Sequence, residues 1–459
     1  MSLRDRTSRM SRSRRHARRR LFLEQLEDRR VLATLYWQGD DLTNPTLWSV
    51  AENWNTQQDG LGSAQVAGVN DTLVFSTANA DLGSFNSVND LGGLTGITIQ
   101  IVDASAAGDF NISGNGFQLA AAGVSSNVSV GTQATIAAPL TLSGAATTFN
   151  VAAGTLRLEG AVGGTGPFEK TGAGNLTLAA VSNFTGNTSI KEGTLTLGVT
   201  NALPTATFLT IGGGGSASTT TVGNFDLANF SQTVARVTIT SNNAANNVVT
   251  INSGQTLTVN GTTTLFTVGQ TGFDGQTTNV LFTGAGSLNI DNAAAGTIVD
   301  IGQQNTNDAN PDNNVTMNVS SLSSFNANAE NVRLAFGRRI NGTLTLSDTA
   351  NTITATNVQV SHSNGTNAGV ATMILGAGTN IINATTINIG LSKANGTVRF
   401  ASQAAGSPGT VIIRGKTGGA STAAIVLASH NGTGTAANVI GTLDLRGHNA
   451  TVQAGTISL

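Results

Sequence analysis

The sequence predicts an all-β chain. Its expected form is a right-handed parallel β-helix, a solenoid, with an N-terminal aromatic-rich cap and a disordered basic leader. Three observations carry this. Short glycine-led segments such as GTLTLG recur along the chain. Within each, apolar residues alternate strictly with polar ones. Charge is scarce, at 10% of 459 residues, against roughly 25% in ordinary soluble domains.

The recurring segments begin at Gly154, Gly174, Gly193, Gly254, Gly286, Gly342, Gly396, Gly409, Gly441 and Gly455. In GTLTLG, Leu195 and Leu197 share one side while Thr194 and Thr196 take the other, as in a strand with one face buried. Strands this short cannot each bury a leucine pair alone, but stacked coils can. The low charge fits a stack, because like charges one coil apart repel by about 0.9 kcal/mol even in water. Thr and Asn carry no such cost. At about 20 residues per coil, residues 81–459 predict some 19 coils and a column on the order of 90 Å.

The two ends differ from the middle. Between Arg4 and Arg30 lie 11 of the 23 basic residues with four acids, which leaves 12 bases against 21 acids in the rest. An arginine run of this kind suits phosphate neutralisation, a solvated tail or an export signal. On the residues alone the three readings of residues 1–33 stay open, and an uninterrupted apolar core of 7–15 residues, which ordinary secretory signals need, is absent. Residues 34–80 hold all three tryptophans, Trp37, Trp48 and Trp54, and are expected to close the first coil by packing. Cysteine is absent, which excludes disulfides and thiolate chemistry. No apolar run approaches the roughly 18 residues of a membrane-spanning helix.

Two stretches carry resemblances. RRLFLEQLEDRRVLA resembles the N-terminal motif of planctomycete extracellular proteins, through Leu23, Glu24, Leu26, Glu27, Arg29, Leu32 and Ala33. That likeness implies recognition by export machinery, so export is the expectation for residues 1–33, with no nucleic-acid partner, and Val31 and Ala33 suit a cut after Ala33. Residues 162–198 resemble the autotransporter-associated β-strand repeat, matching it at Gly164, Gly166, Lys170, Gly172, Gly174, Leu176, Leu178, Asn183, Gly186, Thr188, Ile190, Gly193, Leu195, Leu197 and Gly198. Phe184 stands where that pattern usually has tyrosine. The resemblance implies an exported β-helical passenger and supplies no catalytic residues.

Candidate chemistry is sparse. Asp308, Asn310 and Asp312 match the first half of a calcium loop, but Asn313 replaces the turn glycine and Val319 the bidentate glutamate. Solvated insertion is the expectation there. His362, His430 and His448 have no ligand neighbours at metal spacing and read as surface or loop residues. Arg333, Arg338 and Arg339, with Glu330 nearby, read as a solvated edge. Lys416 reads as turn surface. No catalytic, cofactor or metal residue is therefore assigned. The expected role is a secreted or cell-surface rod, structural or adhesive, that is not an enzyme. Its partners would be cell-surface glycans or other surface proteins. The competing reading is a carbohydrate-active β-helix enzyme or glycan-binding module, which would need converging carboxylates.

Overall fold

The computed structural model describes residues 32–79, 82–103, 109–213, 221–269, 275–303, 312–363, 369–402, 407–430 and 438–459. The expected leader, apart from Leu32 and Ala33, lies outside them, as do Asp308 and Asn310. The chain divides into two compact units, Met1–Leu32 and Ala33–Leu459. The second is a parallel β-helix, and no α-helix occurs among the described residues.

Each coil contributes up to three strand segments. One coil runs Asn395–Phe400, Thr410–Arg414 and Ala423–Ser429, and the next runs Gly441–Asp444, Asn449–Val452 and Ala454–Ser458. Each segment pairs in parallel with its counterpart one coil on. All the glycine-led segments of the sequence lie on strands. Alternation becomes a continuous inward ladder from Ala134 through Leu156, Leu176, Leu195, Phe225 and Val249 to Phe282. Every one of these is fully buried, and a fully buried leucine contributes about 1.5–3 kcal/mol. The outward neighbours bond along the stack, as where Thr196 Oγ1 donates to Asn175 Oδ1 at 2.9 Å. Glycine before the strand is required at Gly193, whose φ is 69° and where a side chain would meet the backbone of the coil below.

The tryptophan end is built differently. Thr34–Trp37 pairs in parallel with Thr72–Ser76 on one edge and antiparallel with Trp54–Asn55 on the other. Trp37 and Trp48 both set their rings edge-on to Trp54, at 4.8 and 5.5 Å, and all three are buried. They pack rather than present rings to solvent.

The uniform 20-residue coil does not hold. Partners on successive rungs are 19 residues apart at Asn175 and Thr194, 37 at Val280 and Met317, and 45 at Gly396 and Gly441. Corners absorb extra residues without disturbing the ladders, so the strand sequence stays periodic while the spacing does not. One sheet stacks 14 strands, which at about 4.8 Å per step makes a column of roughly 62 Å, shorter than the 90 Å expected.

One corner repeats a single backbone device. Gly212, Gly269, Gly302, Ala335, Ser361, Gly390 and Ala428 each follow the inward residue of a strand, and all have φ between 51° and 97°. The register stacks them rung upon rung, with only Thr240 in the column lacking a positive φ. Each turns the chain at the same place. At Ala335, Ser361 and Ala428 the left-handed conformation costs about 1–2 kcal/mol per residue, which the surrounding ladder offsets.

Candidate functional site

The best repeat copy spans two successive rungs, its first two strands pairing in parallel with its last two. Its strands are Phe168–Thr171, Asn175–Leu178, Thr188–Ile190 and Gly193–Leu197. Alternation in FEKT sends Phe168 and Lys170 inward and Glu169 outward. Phe149, Phe168 and Phe184 accordingly stack inside the column, with centroids 4.5 and 5.5 Å apart and planes within 22°. Glu169 meets Lys191 from the next rung at 2.7 Å on the surface.

Lys170 occupies an inward position between Phe149 and Ile190 and is 0% exposed. Its stem packs among apolar side chains, and its ammonium reaches a corner. There Nζ donates to the carbonyls of Thr171 at 2.8 Å, Gly172 at 2.7 Å and Glu192 at 3.1 Å. Three part-buried carbonyls are satisfied by one side chain. Burial lowers the ammonium from its ordinary 10.5 to about 8, and the charge of Glu192 opposes that. The unfolded chain therefore binds more protons than the folded one between these values. Stability should rise as pH climbs through that window, by at most about 3 kcal/mol, and should be lost again as pH falls towards 8. Urea midpoints at the two ends of the window, compared with those of Lys170→Met, will show it. The variant should lack the rise.

The arginine cluster is not a solvated edge. Arg333 lies on Ser324–Phe336 directly over Asp300 of the previous rung. Its guanidinium makes two hydrogen bonds to that carboxylate, at 2.5 and 2.6 Å, and its carbon lies 4.1 Å from the centre of the Phe336 ring. Asp300 is 2% exposed. Burial raises its carboxyl above the ordinary value, while the hydrogen bond and charge of Arg333 pull it back. Arg339 pairs with Asp312 at 2.7 Å, so the described acid of the calcium-loop-like stretch has a cationic partner. Glu330 instead accepts from the Gly296 amide. Arg338 lies half-buried in the bend beside Arg339.

Two of the three histidines depart from a plain surface role. His362 sits on the strand Ala350–Ser363, stacked on Phe336 at 4.8 Å. Burial, aided by the Arg333 charge, lowers its imidazole. His448 occupies a turn, stacks on Phe400 at 3.7 Å, and accepts the Gly409 amide hydrogen bond through Nδ1 at 3.0 Å. His430 is exposed, as expected. Lys416 lies in a turn and donates to Thr356 Oγ1 at 2.8 Å. Among the described residues, no group of three His, Asp or Glu could hold a metal ion.

Two shallow grooves of about 400 Å³ flank the repeat coil. One is lined by Val181, Asn183, Phe184 and Pro204 with their neighbours, the other by Val130, Gly154, Ala173 and Asn175 with theirs. Neither has an acid or a histidine in its lining. Sequence reasoning missed the Asp300–Arg333 pair and the burial of Lys170. Both were signalled, the first by IVDI and NVRL repeating with opposite charge at the same place, the second by alternation.

No helix of the described residues is long and apolar enough to cross a membrane. No curated protein and no solved structure matches the chain. Residues 168–197 match the family model described as passenger-associated-transport-repeat. That segment holds Phe168, Lys170 and both leucine strands just described, so the two rungs they form are one passenger-associated-transport repeat within the stack.

Proposed function

We propose that the protein is an exported, non-catalytic surface protein, structural or adhesive, which works by spacing and by weak contacts repeated along its outer Thr and Asn ladders. The observation that carries this is the passenger-type coil set within an unbroken parallel stack. In this reading residues 1–33 direct export, residues 34–80 close the first coil, and residues 81–459 form the repeat column. Its partners are cell-surface glycans or other surface proteins. The carboxylate-free grooves beside the repeat coil favour contact over polysaccharide cleavage.

Cell fractionation with an antibody, combined with protease treatment of intact cells, tests the location. Protein confined to the cytoplasm would overturn the reading. N-terminal sequencing of the mature chain should begin at Thr34. The Ala33 amide donates to Asp71 Oδ1 at 3.0 Å and its carbonyl accepts from Thr72 at 2.9 Å, so a cut there removes two bonds from the first coil.

A further inference from the structure

Charge is shared unevenly along the column. Residues 34–348 hold 20 acids and 7 bases. Between Asp348 and Asp444 there is no acid at all, and that stretch carries Lys393, Arg399, Arg414 and Lys416. It runs through Ala350–Ser363, Thr379–Ser392 and Thr410–Arg414, which lie on successive rungs. A local cationic field is thus set in an acidic body.

Two of these cations meet at one corner. On the lower rungs the chain rounds it directly. Ala355 stacks on Ala384, and two residues separate Asn383 from Thr386. One rung on, their partners Arg414 and Ala424 are separated by nine. The excess of seven, nine less two, forms a loop outside the column at 415–422. In repeat columns such insertions map to loops on one face, often the binding face. The Gly415 amide donates to the Ser421 carbonyl at 2.9 Å, and the Ser421 amide to the Gly418 carbonyl at 3.1 Å, so the loop has a fixed form.

Both cations turn down the outside of the column. Arg414 Nε donates to Asn383 Oδ1, one rung below, at 2.8 Å. Lys416 Nζ donates to Thr356 Oγ1, two rungs below, at 2.8 Å. Both acceptors are neutral, whereas five other described basic side chains pair with a carboxylate. The acid that shares this corner, Glu330, lies one rung below Thr356, and its carboxylate turns to the Gly296 amide. With Nε used, the remaining N–H groups of the Arg414 fork are left for a ligand, in a plane that fits a carboxylate or a sulfate. Glycine at 418 keeps that plane open, since a methyl group there would lie against it, 3.7 Å from the central carbon.

The surroundings narrow the partner. The ladder of Asn383 and Thr354 continues below the cations and offers amides and hydroxyls to sugar hydroxyls. The loop, GKTGGAST, has no large apolar residue to enter a bilayer. The chain has no Tyr or Trp beyond Trp54 on which a base could stack.

We propose that Arg414 and Lys416, at the loop 415–422, bind the carboxylate or sulfate groups of an acidic polysaccharide. This deepens the surface-contact reading and rests on it only for where such a polymer is met. One contact with two surface cations is weak, and a polymer with an anion on each repeat multiplies it by rebinding. The acidic rungs before residue 349 repel the same polymer, which confines the contact to these rungs.

Lysine footprinting of the full chain tests it, because the chain has only four lysines, Lys170, Lys191, Lys393 and Lys416. Acetylation by a succinimidyl ester is followed residue by residue by mass spectrometry, with polygalacturonate, dextran sulfate or uncharged dextran present. A saturating acidic polymer should slow modification of Lys416 about threefold or more. Lys191, which pairs with Glu169 in the acidic part, should be unaffected. Whichever acidic polymer protects names the anionic group. Arg414→Gln should weaken the protection about threefold or more, and so should Thr417→Asp, which sets a carboxylate on the exposed loop. Far-UV circular dichroism checks that both variants are folded. Four results would each overturn the proposal: Lys416 modified at one rate with and without either acidic polymer, equal protection of Lys191, equal protection by uncharged dextran or by a DNA duplex, or protection indifferent to both substitutions. Protection of Lys416 in a protein that fractionates with the cytoplasm would overturn the surface reading and leave this site standing.

Discussion

Phe168→Ala should lower the unfolding free energy by about 3–5 kcal/mol, the usual cost of deleting a buried aromatic ring. Phe168 is the middle ring of three, with Phe149 on one side and Phe184 on the other, and all are 0–1% exposed. Removing it strips a face from both neighbours, and rigid strands on adjacent rungs limit how far the gap can collapse. Phe168→Leu keeps much of the volume and should cost clearly less. Urea denaturation followed by circular dichroism provides the comparison. A loss below about 1 kcal/mol for the alanine variant would mean that the rings do not stack as described.

The second large effect concerns charge. Asp300→Ala should destabilise by about 3–5 kcal/mol, because it leaves the Arg333 guanidinium half-buried without its anion. The pair itself need not stabilise the fold relative to apolar residues. Replacing both, as Asp300→Val with Arg333→Leu, should return most of the loss, since a well-packed apolar pair often equals or exceeds a buried ion pair. A double-mutant cycle on unfolding free energies measures this coupling. Additive losses from the two single variants would show that the side chains do not interact.

Much of the fold was legible because strands advertise themselves by alternation. Leu195 and Leu197 faced inward as the pattern required, and the clustered tryptophans packed together. Coil length was not legible. A corner needs no particular periodicity, so 45 residues between Gly396 and Gly441 leave no trace in the strands they separate. The same blindness hid the Asp300–Arg333 pair. Its members lie 33 residues apart, and a coil of 20 would have placed them on different columns. Arg333 therefore read as one of three arginines on a solvated edge. His362 was misread for a related reason. Its strand, Ala350–Ser363, bends across two faces, and the sequence around Ser361 shows no glycine at the bend.

Hydrogen bonds between coils join residues 19 to 45 positions apart, and this has a kinetic consequence. A coil gains nothing from its own backbone until a neighbour has formed to receive it, so order must spread outward from a seed. Chains dominated by such distant pairings are slow to fold. A polypeptide that lingers unfolded is also one that can be threaded through a narrow channel before it sets. The architecture that makes the finished column stable thus keeps the newly made chain pliable.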